Sequence, residues 1–184
     1  MCQLCEKNPV YEFTNKRKLC SSCFIRYFQK KFFYTIKKFS LVNQKDIVGY
    51  SDEKDFRSVV LRDNLEIYSK KSFIKLVKLS SKFKSSKKAI NTTLDLTSYE
   101  LIEQLIKKRK LNKELLSPSY KNIIKPLYLF LDKEVFLYAK LKKLKFNNKE
   151  AKKTKWNLFL DELEIKHPEI KRAMINSYLD ISEN

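Results

Sequence analysis

The chain is poor in the residues that most often carry small-molecule chemistry. It has one glycine, Gly49, one histidine, His167, and four cysteines among 184 residues. A single glycine excludes a glycine-rich loop whose successive backbone amides wrap a nucleotide phosphate. A single histidine, with no cysteine or acidic constellation around it, leaves no histidine-based metal or nucleophile arrangement. His167 stands before Pro168 and is expected at a helix junction. No apolar run reaches about 18 residues, so no transmembrane helix is expected. Neither a basic-then-apolar leader nor a lipidation motif is visible, and a soluble cytoplasmic protein without a membrane role is expected. Acidic residues are scarce as well. Asp and Glu number 21 against 40 Lys and Arg, a formal net charge of +19.

That imbalance is self-repulsive unless a polyanion partner exists. Because phosphate contacts dominate nucleic-acid affinity, RNA or DNA is the first reading of it. Lysine far outnumbers arginine, and Asn, Ile and Tyr are abundant, so AT-rich coding bias is a competing source of the same composition. Apolar residues make up 43% of the chain, the content of an ordinary folded protein. The length suits one medium domain plus a small module.

All four cysteines lie near the N-terminus, as Cys2, Cys5, Cys20 and Cys23. The C-x2-C-x14-C-x2-C spacing lets two tight turns aim four thiolates at one ion, the tetrahedral set that structural zinc prefers. Two disulfides fit poorly with a chain expected in a reducing compartment. An iron–sulfur cluster is the other four-thiolate alternative and is not the expectation. A zinc ribbon over residues 1–24, with all four positions filled by protein, reads as structural. So small a module depends on its metal to fold.

Residues 21–39 have helical spacing, with Phe24, Phe28, Phe32 and Ile36 every four residues and Arg26, Lys30, Lys31, Lys37 and Lys38 between them. Residues 46–50 read as a short strand leading into a loop at 51–55 and a helix start. From Ile67 to Leu94 there is no acidic residue, while Lys70, Lys71, Lys75, Lys78 and Lys82 head a run of lysines. The first half of that stretch reads as helical, and its lopsided charge makes it, with the helix before it, the candidate nucleic-acid surface. Thr97-x-x-Glu100 predicts a capping box opening a helix through about residue 110, with Leu101, Ile102, Leu105 and Ile106 inward. A strand is expected over 123–127 and helices over 132–144 and 155–165, the second with Trp156, Phe159, Leu160 and Leu163 on one face. Pro168 suits the first turn of a last helix, and 147–155 reads as a basic surface loop.

The loop itself, Ser51-Asp52-Glu53-Lys54-Asp55-Phe56, has the outline of a phosphate loop. Here the sequence resembles the PP-loop (N-type ATP pyrophosphatase) tRNA-thiolating enzymes, specifically the TtuA-like tRNA 2-thiouridine synthases. Asp46-Ile47-Val48-Gly49-Tyr50-Ser51 falls where that family's first strand enters its S-G-G-K-D-S loop. Asn91-Thr92-Thr93-Leu94-Asp95 is similar to its H-N-L-D-D stretch. Ile124-Lys125-Pro126-Leu127 and Lys133-Glu134-Val135-x-Leu137-Tyr138-Ala139 resemble its R-I-K-P-L and K-E-V-x-L-Y-A segments. Leu160-x-x-Leu163-Glu164-x-Lys166-His167-Pro168 matches its L-x-x-L-E-x-K-H-P segment. The cysteine ribbon and the helix after it resemble the family's N-terminal zinc finger.

The departures fall on the chemistry. Asp52 and Glu53 replace both loop glycines. Two such charges at ~4–6 Å cost a triphosphate several kcal/mol in a partly buried site. Lys54 and Asp55 persist, Phe56 replaces the last serine, and Leu96 and Thr97 follow Asp95 where the second acidic stretch should run. Tyr68 and Lys71 stand at the family's C-x-x-C pair, and no cysteine follows Phe146 at its third cluster position. Only about a dozen residues separate the loop from that region, too few for the family's intervening βα units. Pocket, sheet and cluster are therefore expected to have gone together. The expected fold is α+β, mostly α, with the ribbon ahead of a reduced PP-loop (HUP-type) remnant over 25–184. Neither ATP nor an iron–sulfur cluster is expected.

The resemblance then implies a tRNA-binding, catalytically inert relative of wobble-uridine thiolation enzymes, acting beside an intact thiolase or a sulfur-carrier protein. Two alternatives stay open. One is an active divergent sulfurtransferase that uses Lys54 and Asp55 with a partner supplying the cluster. The other is a zinc-ribbon protein that binds another RNA or a protein.

Overall fold

The computed structural model describes residues 1–79, 84–147 and 153–183. Lys82 and most of the expected basic loop after Phe146 lie outside the described residues. The chain opens with a hairpin, β1 (Tyr11–Glu12) antiparallel to β2 (Lys18–Leu19), and passes directly into α1 (Ser21–Lys38). The four-residue aromatic spacing sets that helix, burying Phe24, Phe28, Phe32 and Ile36 along one stripe. Lys37 and Lys38 close its last turn, where cations meet the carbonyl end of the helix dipole.

A βαβ unit follows: β3 (Ile47–Tyr50), α2 (Phe56–Ser69) and β4 (Lys75–Lys78), with the two strands parallel. Next come β5 (Lys87–Ala89), α3 (Leu94–Ile106), α4 (Lys113–Leu116), β6 (Ser119–Tyr120) and β7 (Ile123–Ile124). Three helices complete the chain: α5 (Asp132–Leu141), α6 (Lys155–Lys166) and α7 (Ile170–Glu183). The larger sheet runs β4-β3-β5-β7-β6, parallel throughout except for β6 at one edge.

The molecule is therefore mixed α/β, and the expectation of a mostly helical remnant without its sheet is corrected. So is the helix expected after Ile67. Beyond α2 that lysine-rich stretch supplies two strands, because Leu76 and Val77 pair in parallel with Val48 and Gly49. Such long-range pairing leaves no periodic trace in so short a segment.

β4 and β5 lie on opposite sides of β3. β4 ends level with Tyr50, and β5 begins level with Val48. The Leu79 N–H donates to the Tyr50 carbonyl at 2.9 Å, and the Ser86 N–H to the Ile47 carbonyl at 2.9 Å. A Cβ on Gly49 would lie 2.5 Å from the Leu79 side chain and 2.9 Å from Ser85 Oγ. The one glycine is the point where Leu79 and Ser85 rest on the strand.

Three smaller expectations also shift. α3 begins after Thr93 rather than Thr97, whose hydroxyl donates back to the Thr93 carbonyl at 2.9 Å inside the helix. Leu105 and Ile106 at its end are exposed. In α6 only Leu160 is buried, and Pro168 precedes α7 instead of sitting in its first turn.

One hydrophobic cluster runs from Cys2, Leu19 and Cys20 through the α1 stripe to Val135 and Tyr138 of α5. Phe28 stacks on Tyr138 at 4.2 Å and meets Phe130 at 4.3 Å. A second cluster joins α3, α4 and α7 through Leu101, Leu116 and Tyr178. Among the described residues no helix is long and apolar enough to cross a membrane.

Candidate metal centre and phosphate loop

The four sequence-predicted cysteines converge. The first pair sits on a turn in which the Glu6 N–H bonds the Cys2 carbonyl and Glu6 takes a positive φ of 60°. The second pair opens α1, with Cys20 at its N-cap. The β1–β2 hairpin brings the two turns together. Cys5 Sγ lies 3.8 Å from Cys2 Sγ, 3.3 Å from Cys20 Sγ and 3.6 Å from Cys23 Sγ, and all four sulfurs lie within 4.8 Å of one another. Four thiolates about 2.3 Å from a central tetrahedral ion stand about 3.8 Å apart, so the set fits one mononuclear metal. Cys20 is drawn down to about 6 by the Ser22 hydroxyl and the Cys23 backbone, while Cys23 is pushed up to about 12 by its hydrogen bond to Cys5 and by burial.

The loop after β3 is folded back on the protein's own cations. Asp52 accepts from Arg62 at 2.8 Å and from Lys78 at 2.8 Å, and these partners hold its carboxyl below the ordinary range, Lys78 most of all. Ser51 donates to Glu53 at 3.0 Å. Asp55 caps α2, accepting the N–H groups of Arg57 at 3.0 Å and Ser58 at 3.3 Å, so a carboxylate already occupies the positive end of that helix. The loop borders a cavity of about 310 Å³ lined by Glu53, Ser58, Leu79, Lys88 and Asn91. It lies past the ends of β3 and β5, where the strand order reverses, the place where open α/β sheets take ligands. Asn147 N–H bonds the Lys54 carbonyl, whereas Tyr68 packs on Phe33 of α1 at 5.3 Å and Lys71 lies over the same ring.

Behind the loop runs a chain of buried and half-buried charge that sequence reasoning missed. Arg57 pairs with Asp132 through two hydrogen bonds, one of them Nε to Oδ1 at 2.8 Å. Thr93 donates to Asp132 at 2.7 Å, and the Asp132 N–H donates to Asp95 at 2.6 Å. Lys171 of α7, 4% exposed, reaches Asp95 and Asp161 at 2.5 Å each, and Tyr99 donates to Asp161 at 2.6 Å. Burial and the Asp132 charge push the Asp95 carboxyl up, against the pull of Lys171. Burial alone would lower Lys171, but Asp95 and Asp161 outweigh it and hold its amine above the ordinary range. These residues come from five helices and the cap before α3, and no local spacing connects them. Asp95, Tyr99, Asp132, Asp161 and Lys171 line a cavity of about 640 Å³ bordered on one side by Tyr11 and Thr14 of the N-terminal hairpin, where Thr14 bonds Glu169 at 3.0 Å. A further cavity of about 550 Å³ between α3 and α7 is apolar and shares no lining residue with the loop or the cysteines.

The predicted nucleic-acid residues separate into groups. Lys31 is withdrawn from that role. Its amine bonds both oxygens of the buried Glu134, at 2.8 and 3.0 Å, and lies 4.6 Å from the Phe130 ring centroid. Lys78 is engaged by Asp52. Arg26, Lys30, Lys37, Lys38, Lys70, Lys71 and Lys75 are exposed.

Sheet order, the βαβ unit at the loop and the flanking helices define a mixed α/β fold. No protein-family model matches the chain, and no curated protein matches it in sequence. Among solved structures it is similar to U34-tRNA thiolase NcsA from Methanococcus maripaludis, a structure that includes a [4Fe-4S] cluster. The TM-score is 0.79 at 18% identity, covering 100% of this chain and 88% of that one. At that identity the likeness is one of fold. The neighbour's cluster means that the expected absence of iron–sulfur chemistry finds no support in the comparison.

Proposed function

We propose that this protein binds tRNA as a catalytically inactive relative of the TtuA-like wobble-uridine thiolases, an accessory subunit in 2-thiolation beside an intact enzyme. The observation that carries the reading is the loop. Where an ATP pyrophosphatase needs bare amides for phosphate, Asp52 is tied to Arg62 and Lys78, and Glu53 lines the cavity. A triphosphate entering there meets two carboxylates and would have to displace two ion pairs. Asp95 is likewise committed to Lys171. By contrast, Arg26, Lys30, Lys37, Lys38, Lys70, Lys71 and Lys75 remain exposed.

In this reading Cys2, Cys5, Cys20 and Cys23 hold zinc, which supplies folding energy to the ribbon and no reaction step. Sulfur separations under 4.8 Å support a single ion over a cubane, whose irons and sulfides hold the four thiolates farther apart.

The test pairs two measurements on purified protein. Calorimetry with Mg-ATP is expected to give no heat, and a labelled tRNA transcript is expected to bind with an affinity that falls steeply with salt. ATP binding would return the divergent-enzyme alternative. Failure to bind tRNA at moderate salt overturns the proposal.

A further inference from the structure

The outward face of α1 differs in kind from the rest of the basic surface. The helix contains no Asp or Glu along Ser21–Lys38. Opposite the buried stripe of Phe24, Phe28, Phe32 and Ile36, the positions i, i+4, i+8 and i+11 hold Arg26, Lys30, Tyr34 and Lys37 on one line. Among the described residues none of these four side chains makes a hydrogen bond, an ion pair or a ring contact, unlike Lys31 one position away. Tyr34 is 57% exposed.

The turn between α2 and β4 joins this face. Lys71 Nζ lies 5.2 Å from the ring centroid of Phe33, the neighbour of Tyr34. Two residues further on, Phe73 is 83% exposed while Ile74 is buried. The Phe73 carbonyl accepts from the Lys45 N–H at 3.0 Å, which fixes its backbone and leaves the ring outward. Lys70 and Lys71 carry no carboxylate partner among the described residues.

We infer that this face binds a single-stranded, unpaired stretch of RNA. Arg26, Lys30, Lys37, Lys70 and Lys71 contact the phosphates, and the rings of Tyr34 and Phe73 stack on bases. The inference rests on the RNA-binding reading above and refines it. Five cations without a carboxylate partner among the described residues complement a polyanion. Two isolated rings held outward give nothing to a duplex, whose bases are already stacked, but offer platforms to bases that are splayed out. An apolar protein partner would need a contiguous patch, and here the rings stand among lysines.

Fluorescence anisotropy tests it with three probes: a tRNA transcript, a single-stranded oligoribonucleotide and the duplex of the same sequence. The wild-type protein is expected to prefer the single strand to the duplex. The double variant Tyr34→Ala/Phe73→Ala is expected to lose about tenfold or more on the single strand and little on the duplex. Tyr34→Phe, which keeps the ring, is expected to bind as wild type does. Lys30→Gln/Lys37→Gln should weaken both probes and reduce the single-strand salt slope by about 1.4. The mutated side chains are exposed, and unchanged circular dichroism and melting will show intact folds. If the wild type binds tRNA and the aromatic double variant binds the single strand equally well, this inference falls and the tRNA reading stands. If the wild type binds no RNA, the tRNA reading itself falls. Equal binding to phosphatidylserine vesicles by the wild type overturns the RNA assignment of this face.

Discussion

Lys30 and Lys31 are neighbours with opposite fates. One turns to solvent, and the other pairs with Glu134, whose carboxylate also accepts the Leu131 N–H at the start of α5. Helical phase separates them, and the sequence shows that phase. The presence of a buried carboxylate opposite Lys31 is not visible in it. Lys125 makes the same point more sharply. It is 1% exposed, and its amine donates to the backbone carbonyls of Glu114 and Leu115 at 2.8 and 2.6 Å, closing the end of α4. Burial lowers it to about 8, with Glu114 and Glu100 opposing. The folded pKa lies below the unfolded value of about 10.4, so between the two the unfolded chain binds more protons and stability rises with pH. Denaturant melts from about pH 8 to about pH 10.4 are expected to show a stabilising contribution of up to a few kcal/mol that Lys125→Met lacks. Parallel curves for the two proteins would contradict it.

At the scale of elements, β1 and β2 pair over only two positions each, too little to hold the two cysteine turns in register without an ion between them. Metal removal by a chelator is therefore expected to abolish amide protection in the hairpin and the first turn of α1 while β3 and β5 keep theirs. A loss of ~2 kcal/mol overall would appear as a fall of roughly 4–8 °C in melting temperature. Hydrogen exchange with and without chelator reads this directly, and unchanged protection in the hairpin would remove the metal from the account. The elements also mark where sequence reading stopped. Amphipathic spacing made α1 legible, and the apolar run into the loop made β3 and the start of α2 legible. β4 and β5 were not, because their strand character comes from pairing with β3 and not from their own lysine-rich pattern. The close approach of Leu79 and Ser85 to Gly49 is a three-dimensional contact that no local rule supplies.

For the whole molecule, the net charge of +19 works against compactness. The free protein is expected to melt at higher temperature as salt rises from about 0.01 M to about 0.15 M, where the screening length falls from roughly 30 to 8 Å. RNA affinity should fall over the same range. Calorimetric scans without ligand test the first, and melting that is insensitive to salt would mean that self-repulsion is already relieved by internal pairs.

The cysteine quartet, the charge excess, the α1 stripe and the carboxylates in the loop are properties of spacing and residue type, and the sequence determined them by itself. Only the tertiary structure decided the rest. It brought the four sulfurs together, kept a five-stranded sheet, tied Asp52 to Arg62 and Lys78, and buried Lys171 between Asp95 and Asp161. The reason is physical. Helical phase and ligand spacing act over a few residues, whereas strand pairing and buried ion pairs join positions far apart in the chain, and their partners exist only once the chain has folded.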